Sequence, residues 1–295
     1  MKIEAGYDIA FQCVQDVPMV LMLSVHPSRQ QDLLTKHRIQ FSPYVRARDY
    51  LDAFGNICTR LVAPAGLLQI RNRFAIADSG KPDEVAPQAA QWEIDSLPDE
   101  AIIYLLCSPY CDTQKLTDLA WAQFGGIQGG WQRVQAICDY VHGRIEFGYH
   151  HARGDRTAAE GHEERVGVCR DFAHLAVSLC RCMNIPARYC TGYLGDIGVP
   201  RDPAPMDFSA WFEAFLGGRW YTFDARHNRP RIGRILIGRG RDAADVAIST
   251  NFGPAQLAHF AVITEEVDPA TDICDTGGRI INSQHQHTAL PIQLS

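Results

Sequence analysis

The chain has 295 residues, a formal net charge of −6 and 46% hydrophobic residues, the composition of a globular protein with room for one or two domains. The negative charge disfavours a nucleic-acid partner, because such proteins need a dominant positive field at their surface. No apolar run reaches the length of about 18 residues that a membrane-spanning helix needs, so no membrane partner is expected.

The ten cysteines and the amino terminus both favour a reducing compartment. Most of the cysteines lie within apolar runs, and a chain of this size does not need disulfides to fold, so we interpret them as small core residues. Residues 1–12 alternate polar and apolar, which is unlike a signal peptide. We therefore predict a cytoplasmic protein, and no pattern in the chain calls for a cofactor.

The first third of the chain has the two-residue period of β-strands. Polar and apolar residues alternate over 1–13, which predicts a strand with one buried face. Gly55-Asn56 is typical of a turn. Further strand candidates follow in chain order: 20–25, 57–62 and 69–77. Several short strands without a helical period predict an N-terminal β-sandwich over residues 1–95.

After a linker rich in Pro, Asp, Gln and Ala, the period becomes helical. One helix is expected after Asp112-Thr113, and a second follows the stripe Trp131, Val134, Cys138, Val141 and Ile145. With the strands described below, these helices predict an α+β domain over residues 96–267. The polar residues 268–295 are expected to form a peripheral tail.

A third helical stripe begins at Cys169. Its helix should end near Asn184, because Pro186 disfavours helical geometry in the residue before it. Cys169 then lies in the first turn of a buried helix, where free N–H groups and the helix dipole favour a thiolate. On position alone, Cys169 is equally well one more core cysteine. The adjacent Arg170 and Asp171 are interpreted as surface or pairing groups.

Two strand-like runs, 208–216 and 219–224, flank Gly217-Gly218 and predict a hairpin with a two-residue loop. That loop implies the following pairs: Leu216 with Arg219, Trp211 with Asp224, and Ser209 with Arg226. The side chains of Ser209, Trp211 and Asp224 would then share one face of the sheet, with Ser209 close enough to bond Asp224.

Three motifs of this region share one resemblance. They are Gly-Val-Cys-Arg-Asp-Phe, then Asn-Ile-Pro-Ala-Arg-Tyr, then Ala-Trp-Phe-Glu followed by Trp-Tyr-Thr-Phe-Asp. In order and spacing they resemble the transglutaminase-like, papain-like cysteine superfamily, and the N-terminal region resembles the β domain of its bacterial members. The resemblance implies a papain-like core, a triad in the order Cys, His, Asp, and a thioester formed with the amide or ester of a peptide or protein.

Mapped onto that pattern, Cys169 takes the position of the nucleophile and Asp224 that of the carboxylate. Ser209 takes the position of the histidine. A serine cannot accept the thiol proton at neutral pH, and the loss of a positioned base typically costs about 10²- to 10⁴-fold in rate. Trp211, beside Asp224, is expected to wall the substrate cleft.

Other histidines are candidates for the missing base. His227 should point away from Asp224 unless the strand ends or bulges there, and His174 points about 140° away from Cys169 around the helix. The His150-His151 pair lacks the spaced partners of a metal site, so no metal is predicted. The arginine-rich run 226–241 is interpreted as a solvated, locally paired face.

Three functions are left open by the sequence. The first is a thiol amidase, protease or acyltransferase that acts through Cys169. The second is a catalytically impaired member of the superfamily that binds or scaffolds. The third is an interaction module in which the β-sandwich recruits a partner.

Overall fold

A computed structural model describes residues 1–268 and two short strands beyond them. The strands are β1 (Lys2–Cys13), β2 (Val17–Leu21), β3 (Gln40–Ser42), β4 (Ala47–Leu51), β5 (Ile57–Ala63), β6 (Gly66–Ala77), β7 (Glu146–Phe147), β8 (Val166–Gly167), β9 (Ala187–Tyr193), β10 (Ser209–Leu216), β11 (Arg219–Phe223), β12 (Ile235–Gly240), β13 (Ser249–Asn251), β14 (Ala255–Val267), β15 (Ile273–Cys274) and β16 (Ile280–Ile281). The α-helices are α1 (Asp99–Ile102), α2 (Thr117–Phe124), α3 (Trp131–Arg144), α4 (Ala158–Glu164) and α5 (Cys169–Cys182). Apart from Asp268 and the strands β15 and β16, the predicted tail lies outside the described residues.

The N-terminal strands form two antiparallel sheets of four strands, in the orders β14-β1-β6-β3 and β13-β2-β5-β4. The alternation in β1 buries Ile3, Ala5 and Ile9, and these side chains share one core with Leu21 and Leu61 of the other sheet. Burial of apolar surface between the two sheets therefore stabilises the N-terminal region. Together with the helical region that follows, these sheets confirm the predicted α+β class.

The end of the chain returns to the N-terminal sheets. β14 pairs with β1 from Lys2 opposite Val267 to Cys13 opposite Ala255, and β13 pairs with β2. The boundary predicted from the sequence placed these residues with the second domain instead. Local periodicity identifies a strand but carries no information about a partner that is distant in the chain.

The second region is built on a sheet in the order β11-β10-β9-β12, with α5 packed against β9 and β10. α5 begins at Cys169, as predicted, and nearly all of it is buried. None of the helices that the structure describes is long and apolar enough to cross a membrane.

The hairpin of β10 and β11 follows the prediction at its loop and departs from it at its open end. Gly217 and Gly218 both have positive φ, at 56° and 86°, and Leu216 pairs with Arg219. Pairing stops at Phe212 opposite Phe223, because β11 ends there. The expected pairs of Trp211 with Asp224 and of Ser209 with Arg226 therefore do not form.

Candidate active site

The start of α5 is held by the aspartate two residues after Cys169. The carboxylate of Asp171 accepts the backbone N–H of Val168 at 2.8 Å and pairs with Arg156 at 3.1 Å. Asp171 is only 2% exposed, so the aspartate of the Cys-Arg-Asp motif belongs to a buried ion pair and is not a surface group. These bonds determine where the helix begins, and so where the sulfur of Cys169 is presented.

Cys169 lines a cavity of about 930 Å³. The start of α5, the loop before β10 and the turn after β11 contribute to its lining, and residues 262–266 of β14 form another wall. The N-terminal sheets therefore take part in the cleft. The lining includes Tyr149, Cys169, Asp207, Ser209, Arg226 and His227.

The surroundings of Cys169 raise the pKa of its thiol. Burial raises its pKa to about 11, Arg226 opposes that rise, and Asp207 adds to it. The thiol points at the carbonyl oxygen of Phe208, 4.0 Å from the sulfur. Burial of the sulfur therefore opposes the thiolate that the position at the helix N-terminus favours.

His227 lies beside Asp224. Since β11 ends at Phe223, the chain turns over residues 225–227, and the N–H of Asn228 bonds the Asp224 carbonyl at 2.8 Å. The turn brings the His227 backbone N–H to Asp224 Oδ1 at 3.0 Å and its Nδ1 to Asp224 Oδ2 at 2.9 Å. β11 ends at Phe223, and a strand end here is the condition under which the sequence predicts that His227 can approach Asp224.

The bond to Asp224 determines the state of the imidazole. A carboxylate only accepts, so Nδ1 of His227 carries the proton and a neutral ring keeps Nε2 as an acceptor. Within the described part of the chain, Nε2 has no hydrogen-bond partner. His227 and Cys169 line the same cavity, which places a proton acceptor and a thiol in one cleft.

Asp224 is held in its ionised form by a second partner, Arg234. Burial by itself would raise the pKa of Asp224, but the Arg234 guanidinium at 2.9 Å and the bonds from His227 hold that pKa well below its usual range. Arg234 also binds Asp83 and lies over the ring of Trp211, with 5.0 Å from Cζ to the ring centroid. Nothing in the sequence pattern pointed to Arg234.

Two members of the arginine-rich run 226–241 lie in the interior. Arg231 is 3% exposed and Arg234 is 9% exposed. The expectation of a solvated face is therefore wrong for them, because ion pairs with Asp196, Asp83 and Asp224 compensate for their burial.

Ser209 and Trp211 are placed differently from the expectation. Ser209 is 6% exposed and pairs with Gly192 of β9, and its hydroxyl has no hydrogen-bond partner among residues 1–268, so the predicted bond to Asp224 is not made. Trp211 packs with Cys190 and Leu236 and lines a second cavity of about 290 Å³. It is not among the residues that line the cavity of Cys169.

The other candidate histidines lie elsewhere. His174 is fully buried, accepts the N–H of Ala243 at 3.1 Å and stacks on Tyr110, which is the arrangement of a packed helix residue. His150 and His151 lie against each other, 3.8 Å between ring centroids, and neither lines the cavity of Cys169. Among the described residues, no group of three His, Cys, Asp or Glu side chains is arranged to hold a metal ion.

Comparisons with known proteins find a similar core and a similar fold. Residues 118–225 match the core of the transglutaminase-like superfamily, a segment that contains Cys169 and Asp224 and ends two residues before His227. The crystal structure of a candidate cysteine protease from Cytophaga hutchinsonii superposes with a TM-score of 0.77, at 29% identity and 92% coverage of each chain.

Two mycobacterial proteins without a described function are also similar. The Mycobacterium leprae protein ML0607 is 39% identical over 88 residues, which cover 28% of this chain and 30% of that protein. The Mycobacterium tuberculosis protein Rv2569c is 33% identical over 116 residues, 35% of this chain and 37% of that protein. The chain thus spans only about a third of the length of these relatives.

Proposed function

We propose that the chain is a thiol hydrolase or acyltransferase of the transglutaminase-like superfamily, whose core model its residues 118–225 match. Cys169 is its nucleophile, His227 its base and Asp224 the carboxylate that orients the base. The proposal depends on one observation, the bond of 2.9 Å between Nδ1 of His227 and Asp224, which leaves Nε2 free beside the cavity of Cys169.

The reaction begins from the neutral thiol. As the sulfur of Cys169 attacks a substrate carbonyl, Nε2 of His227 accepts the thiol proton, and the new C–S bond places negative charge on the carbonyl oxygen. We assign the backbone N–H of Cys169 to that oxygen. The imidazolium then returns the proton to the departing amine or alcohol, whose bond to carbon breaks and leaves a thioester.

The second half of the reaction regenerates the thiol. Water, or an amine in a transfer reaction, loses its proton to His227 and attacks the thioester carbonyl. The C–S bond breaks and the sulfur takes the proton back. Asp224 stays ionised throughout and stabilises the imidazolium, the role of the carboxylate in Cys-His-Asp and Ser-His-Asp sites.

A peptide or protein is the substrate class that this cleft supports best. A cavity of about 930 Å³ has room for a segment of several residues, and the similar Cytophaga structure is that of a candidate cysteine protease. Because β14 forms one wall of the cleft, the N-terminal sheets contribute to substrate binding in this proposal.

A second candidate function is a binding protein that has lost turnover. It is favoured by Ser209 at the position where the superfamily pattern has histidine, and by the raised pKa of Cys169. The two candidates differ in whether His227 serves as a base.

The deciding experiment measures acylation and turnover separately. Wild type, Cys169→Ala, His227→Gln and the control His259→Gln, which changes an exposed histidine of β14, are incubated with a 4-nitrophenyl ester. Acyl groups on the peptide that contains Cys169 are counted by mass spectrometry while 4-nitrophenolate release is followed. We expect His227→Gln to lose about 10²- to 10⁴-fold in rate and His259→Gln to match wild type. If Cys169→Ala released 4-nitrophenolate at the wild-type rate, the result would support the second candidate, a binding protein without turnover.

A further inference from the structure

Arg226 presents an unused cation to the cavity of Cys169. Its guanidinium lies over the ring of Phe147, 3.7 Å from Cζ to the centroid, and its charge opposes the rise that burial causes in the pKa of Tyr149. Within residues 1–268 it forms no ion pair. A guanidinium has five N–H donors in a planar fork, so these contacts leave donors available to a ligand.

The other arginines of the cavity already have carboxylate partners. Arg201 pairs with Glu265 at 3.4 Å, and Arg231 lies 3.7 Å from Asp196 while it donates to the Gly195 carbonyl at 2.9 Å. Of the arginines in this lining, Arg226 is the one that forms no ion pair among the described residues, and its charge acts on Asp207, whose pKa it lowers against the rise caused by burial. It is also next in sequence to His227 and is the group that most opposes the raised pKa of Cys169.

We propose that Arg226 binds a carboxylate of the substrate, close to the carbonyl that Cys169 attacks. This inference rests on the proposed function for the identity of that carbonyl. Arginine suits the task because its fork matches both oxygens of a carboxylate. Stacking on Phe147 holds the guanidinium in one plane before the ligand arrives, which lowers the entropy that binding must remove.

The remaining charges of the cavity limit the ligand to a single carboxylate near the nucleophile. Acidic side chains line the loop before β10 and the β14 wall: Asp196, Asp202, Asp207, Glu265 and Glu266. Of these, Asp207 interacts with Arg226, which lowers the pKa of that carboxyl. Together these acidic side chains would repel a chain with several negative charges. The carboxylate can belong to a chain terminus or to an acidic side chain, and the chemistry that Arg226 recognises is the same.

The test is calorimetric titration with ligand pairs that differ only in charge. One pair is N-acetylglutamate α-amide and N-acetylglutamine α-amide, which probes an acidic side chain. The other is N-acetylglycylphenylalanine as free acid and as amide, which probes a chain terminus. Each is titrated into wild type, Arg226→Gln and Arg201→Gln, an arginine of the same cavity whose side chain is 85% exposed.

We expect wild type and Arg201→Gln to bind the acid of at least one pair about 10- to 100-fold more tightly than its neutral twin. Arg226→Gln should bind both twins with the weaker affinity. Equal affinity of the twins for wild type, no binding of either acid, or a preference that survives in Arg226→Gln would each overturn the inference.

A second measurement separates ligand recognition from an effect on the sulfur. If Arg226 serves only the thiolate, Arg226→Gln slows alkylation of Cys169 and leaves the ratio of the two affinities unchanged, which overturns the inference. The titration requires no turnover. The proposed function can therefore fail, through equal rates of wild type and Cys169→Ala, while the charge preference stands, and the reverse outcome is equally visible.

Discussion

The imidazole Nδ1 of His227 lies 2.9 Å from the carboxylate of Asp224, across a turn that begins where β11 ends. In the superfamily pattern the histidine precedes the aspartate, on the neighbouring strand, where this chain has Ser209. The pair of His227 and Asp224 would therefore produce a site with the order Cys, Asp, His. The same side chains meet from a different point of the chain, which is possible because catalysis depends on geometry and not on sequence order.

A relocated base predicts the outcome of a double substitution. In the background His227→Gln, the change Ser209→His should restore at least about tenfold of the lost ester turnover, because it returns a base to the strand position beside the nucleophile. In the wild-type background the same change should add little. Ester turnover of the four proteins, with circular dichroism to confirm folding, is the measurement.

Ser209→Asn in the background His227→Gln is the matched control, since asparagine adds bulk and hydrogen bonds without a base. Equal recovery by asparagine would show that Ser209→His acts through packing. A large gain from Ser209→His in wild type would show that His227 does not serve as a base.

The raised pKa of Cys169 predicts slow alkylation at neutral pH. With a pKa of about 11, the thiolate fraction at pH 7 is about 10⁻⁴, and the rate with iodoacetamide should rise about tenfold per pH unit between pH 7 and 10. Arg226→Gln should slow the reaction further at each pH, because Arg226 favours the thiolate. The rate is measured on the peptide that contains Cys169, with the exposed Cys107 as the internal reference. A rate that reaches a plateau below pH 8 would contradict a neutral resting thiol.

The depressed pKa of Asp224 predicts how Asp224→Asn changes with pH. An aspartate whose pKa is lower in the folded than in the unfolded protein stabilises the fold above the unfolded value of about 3.9, and this stabilisation is lost as the pH falls towards the folded value. Asp224→Asn should lower the free energy of unfolding by about 3–5 kcal/mol at pH 7, since it leaves the buried Arg234 without this partner.

At pH 3 the difference between Asp224→Asn and wild type should be smaller than at pH 7. Urea unfolding at pH 3 and pH 7 measures the free energy of unfolding of both proteins. Asp118→Asn, at an exposed aspartate of α2, should match wild type at either pH. If Asp224→Asn lowered the free energy of unfolding by the same amount at pH 3 and at pH 7, the Asp224 carboxylate would have the same pKa in the folded and unfolded states.

The pair of Asp171 with Arg156 predicts a stability cost that an exposed pair nearby does not have. Asp171→Ala removes both the acceptor of the Val168 N–H and the partner of a buried arginine, and should cost about 3–5 kcal/mol. Asp155→Ala breaks the ion pair with Arg153, where the aspartate side chain is 84% exposed, and should cost about 1 kcal/mol or less. Thermal and urea unfolding compare the two. Similar costs for both variants would show that the buried pair contributes no more than a surface pair.

Local features of the fold were predictable because local physics produces them. The two-residue period of residues 1–13 corresponds to β1, and the apolar stripe that begins at Cys169 corresponds to α5. Gly217-Gly218 forms the hairpin loop, with positive φ at both positions. The start of α5 at Cys169 was predicted from the same apolar stripe. Each of these depends on contacts between residues that are near one another in the chain.

Contacts between distant residues were not predictable in the same way. Strand alternation could not show that β11 stops at Phe223, and one residue of difference there decides on which side His227 emerges. The pairing of β14 with β1 and the burial of Arg234 against Asp224 join parts of the chain whose local patterns do not refer to each other.

The sequence by itself determined the α+β class, the resemblance to the transglutaminase-like core, and the presentation of Cys169 at the start of a buried helix, because periodicity, turn residues and motif spacing act over short stretches of chain. Only the tertiary structure decided which histidine meets Asp224, that burial raises the pKa of the Cys169 thiol, and that β14 forms one wall of its cleft. Those properties arise from the end of a strand, from loss of water and from long-range pairing, and they exist only once the chain is packed.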